Sequence, residues 1–480
     1  MPVDSQHPEF TKHMSRWQKN LDAFDGEDAV KSKGELYLSK PGGFEAGDYE
    51  RYKQRAKWYG ATSQTVKGTR GAVFQKSPDI KISARTEKDI EDITLTGVSL
   101  EGLAGVLFSH MELIGRYGIL LDYSEDQLRP YWSGFPASCI INWKLDRING
   151  KMQLSQIVLK EVSYRPKDKF ESIEIIRYRD CFLNDDGNYQ IDTYEYGGLT
   201  YSGNDLMVPV EPSLFPTRRQ QPLKFIPFQI FGADDLTFDV SNGPLDALVD
   251  VNYAYYRHSA DYEHGLFMTA LPTPVITGQS VDEGKKLTIG SLTAWVLENP
   301  EAKAYLLEFQ GQGLIPHEKA MDNDKREMAT LGARLLEEMP DTSETLGQVQ
   351  IRHSGETGTL KHMTGLASEG LTRLVRWHHW MNGETELVED PRYEYTLNTD
   401  FNTSRISPQA IQALMRLVQA GQMSAQTLFW NLHQGEVMPE HRTFEDEQRL
   451  IEIQPPARLA FQQGELDDDE EETEPNEGAA

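Results

Sequence analysis

The densest histidine site in the chain is Arg376-Trp377-His378-His379-Trp380. Adjacent histidines on a helix point about 100° apart, so they cannot share a metal as an i, i+4 pair can. Packed or surface imidazoles are the expectation there. Asp185-Asp186-Gly187-Asn188 has the acids of a calcium loop but neither the ligand alternation nor the closing glutamate, and reads as a hairpin turn. Gly311-Gln312-Gly313 lacks the third glycine and the strand–helix setting of a dinucleotide fingerprint, and no GxxxxGK[ST] run is present to cradle a phosphate. Paired carboxylates abound, each with a solvated face as its default. Glu318, Asp322, Asp324 and Glu327 crowd the start of one expected helix, where the helix dipole explains them. Arg352, His353, Lys361 and His362 put some positive charge in and after an expected loop, and ordinary loop polarity and a binding role fit them equally. No catalytic, cofactor-binding or metal site is assigned, and an enzyme is not expected.

Composition narrows the classes further. The 480 residues are 38% hydrophobic and 10% aromatic, low for one compact globule and suited to a multi-segment protein that completes its burial against neighbours. Net charge is −27, from 48 basic and 75 acidic residues. The run Glu465–Glu477 holds nine acids and no base, so the remainder still carries 48 − 66 = −18. Gripping nucleic acid by phosphate neutralisation needs clustered Lys and Arg, and this composition argues against it. No apolar run approaches a membrane span, and MPVDSQHPEF has no signal-peptide pattern, so synthesis and folding in the cytoplasm are expected. Cys139 and Cys181 sit in strand-like segments and read as buried reduced thiols.

The elements that position these residues are organised around Gly243–Phe267. Asn242-Gly243-Pro244 is a breaker followed by a proline suited to a first helical turn. Leu245, Leu248, Val249, Asn252, Tyr256, Ala260 and Phe267 recur at helical steps, so a helix about 36 Å long is expected. Tyr253, Tyr255, Tyr256 and Tyr262 lie on more than one side of it, which suggests contacts in two directions, some of them between copies. Leu271-Pro272-Thr273-Pro274 ends it and leads to a strand at Val275-Ile276-Thr277. Further strands are expected at Ala294–Leu297 and Tyr305–Phe309, around a turn at Asn299-Pro300. A second helix is expected at Glu318–Glu338.

Before this pair, residues 8–25 read as an amphipathic helix and Asp48 to about Phe74 as another. A third is expected at Ser99–Tyr117, capped by Ser99 and stopped by Gly118. A strand follows at Ile119–Tyr123. From Ala137 to Tyr196 the period becomes two, giving antiparallel strands at Ile140–Trp143, Leu154–Val162, Ile173–Tyr178 and Tyr189–Tyr196. Their hairpin turns fall at Arg147–Gly150 and Asn184–Asn188. After the second helix, Asp341–Gly358 reads as a loop, Leu360–Met381 as a helix and Tyr393–Leu397 as a strand. Ser407–Ala420, Ser424–Gln434 and Thr443–Ile453 read as short helices. Beyond Gly464 an acidic, disordered tail is expected. The class is α+β.

Four stretches together resemble the portal proteins of tailed double-stranded DNA bacteriophages. They are HPEF…RWQKNLDAFDGEDAVKSKGELYLSKP at 7–41, YERYKQRAKWYGATSQTVKG…GAVFQKSP at 49–78, IPFQIFG…GPLDALVDVNYAYYRHSADYEHGLFMTALPTPVITG at 226–278 and ISPQAIQALMRLVQAGQMSAQTLFWNLHQGEVMP at 406–439. The resemblance implies an elongated subunit of a head-to-tail connector ring, usually of twelve copies, at one capsid vertex of a virion made in a bacterial host. Residues 1–242 would be the wing, with 382–402 returning to it, 243–267 the first stem helix, 268–317 the clip and 318–340 the second stem helix. Residues 341–358 would be the tunnel loop, 359–381 a long wing helix, 403–464 the crown and 465–480 the tail. Leu245, Leu248, Tyr256, Leu331 and Leu335 would pack the stem. Trp295, Asn299, Tyr305 and Phe309 would form the clip docking surface, and Gln348, Gln350, Arg352 and His353 would face DNA. Implied partners are the terminase large subunit, head–tail adaptor proteins, the major capsid protein, a scaffold and duplex DNA in the channel, with no membrane and no cofactor. Another virion structural protein, such as an adaptor or minor capsid protein, and a carboxylate-based hydrolase are the alternatives.

Overall fold

The structure, a computed structural model, describes residues 2–148, 150–199, 205–210, 212–270, 273–278, 299–307, 311, 313–332, 346–399, 401, 408–434, 437–438 and 442–453. The chain divides into two compact units, Met1–Thr399 and Asp400–Ala480. The first opens with helices α1 (Pro8–Asp25), α2 (Glu27–Ser32), α3 (Ala46–Arg55) and α4 (Ala61–Val73), then strand β1 (Asp79–Lys81) and α5 (Leu100–Ile114). Strands β2 (Arg116–Ser124), β3 (Arg129–Pro136), β4 (Ile140–Ile148), β5 (Lys151–Pro166), β6 (Ser172–Leu183), β7 (Tyr189–Leu199) and β8 (Asp205–Pro209) follow, with short β9 (Thr217–Arg218) and β10 (Gln221–Pro222) before β11 (Phe228–Gly232). Then come α6 (Asp246–Ala270), the hairpin β12 (Thr273–Thr277) and β13 (Lys303–Leu307), α7 (Leu314–Leu331), α8 (Leu346–Met381) and β14 (Glu394–Thr396). The second unit contains α9 (Pro408–Gln419), α10 (Ala425–Gln434) and α11 (Phe444–Ile453). Helices and antiparallel sheets are segregated along the chain, so the class is α+β.

Local chemistry explains most boundaries. The His7 ring accepts from the Glu9 amide at 3.2 Å and Pro8 occupies the first turn of α1, which Gly26 ends at φ 98°. Ser99 caps α5 by accepting from the Gly102 amide at 3.1 Å. The expected stop at Gly118 is corrected: α5 ends at Gly115, at φ 77°, and Arg116 already begins β2. Gly118 lies inside that strand because a Cβ there would stand 2.2 Å from the Phe228 ring on β11.

The long helix expected from Asp48 to Phe74 is two helices. The chain leaves helical geometry at Ala56 (ψ 138°) and resumes at Ala61. Side chains of α6 hold the break open. Ser259 Oγ accepts from the Lys57 amide at 3.0 Å and donates to its carbonyl at 2.8 Å. A third correction concerns 341–358. Helix α8 starts at Leu346, so Gly347, Gly355 and Gly358 lie in a helix rather than at the bends of a loop. Each glycine costs about 1 kcal/mol there. No proline interrupts 346–381, and extending an existing helix avoids a new nucleation step.

The main sheet is the meander β4-β5-β6-β7-β8. Its turns fall where expected, with Gly150 at φ 82° and Gly187 at φ 69°. Asn184 Oδ1 accepts from the Asp186 and Asn188 amides, so this carbonyl organises the turn. A second sheet runs β11-β2-β3, and β14 pairs with β1, bringing residues after α8 back to the N-terminal part of the unit. Cys181 is fully buried in the core beside Tyr189, and Cys139 is half-buried.

Candidate functional site

The candidate site is the antiparallel pair α6 and α7 with the hairpin β12–β13 between them, continued by α8. Helix α6 owes its position to polar contacts spread along its N-terminal two-thirds. Near its start, Arg16 and Lys19 of α1 clasp Asp250 at 2.7 and 2.6 Å, and Asn20 donates to Asp246 at 2.7 Å. One turn on, buried Asn252 accepts from Thr62 and donates to the Tyr59 carbonyl at 2.7 Å. Further along, Tyr52 donates to Asp261 at 2.6 Å. Burial and this carboxylate together raise the Tyr52 phenol well above its ordinary range.

Leu245, Leu248 and Tyr256, expected to pack the stem, are buried within their own chain. So are Tyr253 and Tyr255, which corrects, for these two and Tyr256, the reading of the α6 aromatics as contacts between copies, while Tyr262 is only half-buried. Tyr253 lies against Tyr37 and Trp58, with ring centroids at 4.6 and 5.1 Å, and its hydroxyl donates to the Lys19 carbonyl. Helix α7 joins α6 through buried Met321 and Met328 and through a 2.7 Å contact between His258 Nδ1 and Asp324. Lys325 sits 5.7 Å from the Tyr255 ring. Of the acids read as dipole complements, Asp324 thus pairs the two helices. Leu331 is 41% exposed within the single chain, and Leu335 lies outside the described residues.

At the far end of the pair, β12 and β13 form an antiparallel ladder in the register Thr273↔Leu307 to Thr277↔Lys303. Tyr305 is 51% exposed, and Asn299 donates to the Gly278 carbonyl at 2.5 Å. Trp295, Phe309 and the expected strand 294–297 lie outside the described residues. Leu266, Phe267, Met268 and Ile315, where the helices meet the hairpin, are exposed apolar side chains. Gln348, Gln350, Arg352 and His353 fall in the first turns of α8.

The histidine pair behaves as packing. His378 and His379 are both buried and diverge from their shared backbone. His378 Nε2 meets Asp89 at 3.1 Å, while His379 accepts the Ser83 amide at 3.2 Å and stacks on Tyr393 at 3.6 Å. Among the described residues no group of three or more His, Cys, Asp and Glu side chains is placed to hold a metal ion. No described helix is long and apolar enough to cross a membrane.

Buried ionisable groups are what the sequence reading missed. Glu112 lies inside α5 with the Thr69 hydroxyl donating to it at 2.5 Å, and burial pushes its carboxyl up to about 7. Arg116 lies 4.4 Å from the Trp143 ring, whose other neighbour is the His7 ring at 4.0 Å. Burial brings its guanidinium down to about 10. Asn252 alone left a trace in the sequence, as the one amide in the apolar stripe of α6.

A family model described as a domain of unknown function, DUF4055, matches residues 244–381, from two residues before α6 to the end of α8. No curated protein matches the chain. Among solved structures the chain is similar to one from the neck of a native GTA particle computed with C12 symmetry, at 12% identity, covering 84% of this chain and 98% of that one, with a TM-score of 0.39. A chain from the virion of a native gene transfer agent particle is similar at 12% identity, covering 84% and 97%, with a TM-score of 0.38. A likeness at that level fixes neither the architecture nor the role of this chain.

Proposed function

We propose that this chain is a portal subunit of a tailed phage or phage-like particle, twelve copies of which form a ring at one capsid vertex. Duplex DNA passes through that ring on packaging and ejection. The observation that carries the reading is the order α6, hairpin, α7, α8: two paired helices joined through a small antiparallel ladder, with a long helix after them. It is the succession of stem, clip and wing helix that the sequence resemblance implies. In this reading residues 268–317 receive the terminase and later the adaptor proteins. Residues 1–242 with 382–402 form the wing, and 403–464 the crown.

The corrected start of α8 changes the proposed DNA contact. Its first turns, with Gln348, Gln350, Arg352 and His353, take the place assigned to a loop, and a helix end offers less freedom to follow a moving duplex. The acidic composition suits a channel through which a polyanion slides, since sparse Lys and Arg leave few counterions to release on contact. Negative-stain microscopy of the purified full chain tests the reading: rings with an axial hole and a protruding stalk are expected. Compact particles without a hole, at concentrations where the protein self-associates, would count for an adaptor or minor capsid role instead.

A further inference from the structure

Between β1 and α5 the chain meets the C-terminal end of α8 as a strap, 83–92, that owes little to apolar burial. Within 83–89 only Thr86 is buried, while Ala84, Arg85, Glu87 and Lys88 face solvent. Both ends are pinned. Lys81 pairs with Glu394 in the β1–β14 ladder, and just beyond the strap the Ile93 carbonyl accepts from the Trp132 amide at 2.8 Å. What holds the middle is polar. The Ser83 amide donates to His379 Nε2 at 3.2 Å, and His378 Nε2 donates to Asp89 at 3.1 Å. Thr86 Oγ1 donates to Glu384 at 3.0 Å, and Ser83 Oγ donates to the same carboxylate. A segment with so few buried apolar contacts opens before the fold around it does.

The partners of His379 fix its protonation. Its ring is fully buried and stacked on Tyr393, whose carbonyl is held by Arg376 of α8. Nδ1 lies 2.8 Å from the Val375 carbonyl, which can only accept, so Nδ1 carries the proton. Nε2 is then bare, and it accepts the Ser83 amide. This neutral tautomer is satisfied at both nitrogens, and burial holds the imidazole below its ordinary 6.5. A second proton has only Nε2 to occupy, where it would face an N–H.

We propose that 83–92 is an acid-released strap: a proton on His379 sets two N–H groups against each other at Ser83, and Glu384 turns from the strap hydroxyls to the imidazolium. The surrounding charges set the direction. Glu384 and Asp390 favour the imidazolium and His378 opposes it, but Asp390 is already bound by Arg392 at 2.7 Å. Glu384 is held by the neutral donors Ser83, Thr86 and Asn382, which a cation can outbid. His378 works the other way. It stands beside Asp89, which Arg129 of β3 and Arg85 of the strap also face, and a protonated ring there keeps its carboxylate. Release therefore falls to His379. Its contribution to closure is complete above about pH 6.5 and is lost as pH falls through its lowered value. The device does not depend on the ring reading.

Hydrogen exchange of the full chain tests this, read by mass spectrometry at about pH 7.5 and 5.5 and corrected for the intrinsic rate. In the wild type, opening of 83–92 should rise toward about tenfold on acidification, the limit for an imidazole that titrates normally once released. Amides of α5 should stay protected over the same range. His379→Gln keeps an acceptor for the Ser83 amide but cannot titrate, and its exchange at 83–92 should be flat. Glu384→Gln keeps acceptors for Ser83 and Thr86 yet cannot draw the imidazolium away, so its opening should move to lower pH. A wild-type strap whose protection ignores pH overturns the proposal, as does a His379→Gln strap that opens with acid as the wild type does. Should His379→Gln fail to fold, Glu384→Gln decides: an opening profile unshifted from wild type rejects the switch.

Discussion

Asn252, buried midway along α6, accepts both the backbone N–H and the hydroxyl of Thr62, at 3.3 and 2.9 Å, and so caps the first turn of α4 from another helix. Its amide nitrogen takes the Tyr59 carbonyl just before that turn. Replacing it with leucine strands the Tyr59 carbonyl and the Thr62 donors in a dry interior. Asn252→Leu should cost about 2–4 kcal/mol in denaturant unfolding. A loss under about 0.5 kcal/mol would mean the break between α3 and α4 is held by something else.

Met328 and Leu331 sit one turn apart on α7 with opposite surroundings. Met328 is fully buried, and Met328→Ala should destabilise by about 2–5 kcal/mol through the cavity it leaves. Leu331→Ala should be nearly silent in the isolated subunit. If Leu331→Ala instead lowers the yield of rings while subunit stability is unchanged, this leucine is covered by a neighbouring copy.

Buried Glu112 and half-buried His110, both on α5, make opposing contributions to the pH profile. Glu112 titrates near 7 in the folded chain, above its ordinary 4.5, so its contribution is complete below about pH 4.5 and lost as pH rises to 7. His110, which burial lowers to about 4 from 6.5, contributes stability present above about pH 6.5 and lost as pH falls through 4. Glu112→Gln keeps an acceptor for Thr69 and should remove the fall alone. Its stability relative to wild type should rise by roughly 3 kcal/mol between pH 4.5 and 7. Parallel urea-midpoint profiles for the two proteins across that range would exclude the assignment.

The DNA prediction follows from charge. The assembled ring should bind duplex DNA weakly at physiological salt, with a shallow salt dependence. Arg352→Ala with His353→Ala should leave assembly intact and lower packaged DNA. Tight, steeply salt-dependent binding by the wild-type ring, measured by fluorescence anisotropy, would contradict a sliding channel.

Removing the ladder tests the other end of the site. A chain with 278–311 replaced by a short Gly-Ser linker should keep the folded sheets, because β12 and β13 pair only with each other among the described strands. It should no longer capture the terminase or adaptor in pull-down. Capture at the wild-type level would move the docking surface elsewhere.

Sequence alone was enough wherever structure is decided within a turn or two. Ser99 caps α5 because its hydroxyl meets an amide three residues on, and Asn184 with Gly187 dictates a hairpin turn without outside help. The existence of α1, α5, α6 and the meander followed from periodicity, because one buried face writes its repeat into the chain. The order of two helices about a small ladder was legible for the same reason. What only the tertiary structure decided involves partners far apart in sequence. Ser259 and Asn252 break an otherwise continuous helix about two hundred residues earlier by offering its backbone better hydrogen bonds. Gly118 looks like a helix stop, yet it is glycine because Phe228 leaves no room for a Cβ. The tyrosines of α6 seem to face several directions because a single helical wheel does not say which neighbours surround it, and here α1 and the segments around Tyr37 and Trp58 do. The burial of Glu112 and Arg116 was likewise invisible, since a charged residue records nothing locally of the dielectric it will occupy once the helices and sheets close over it.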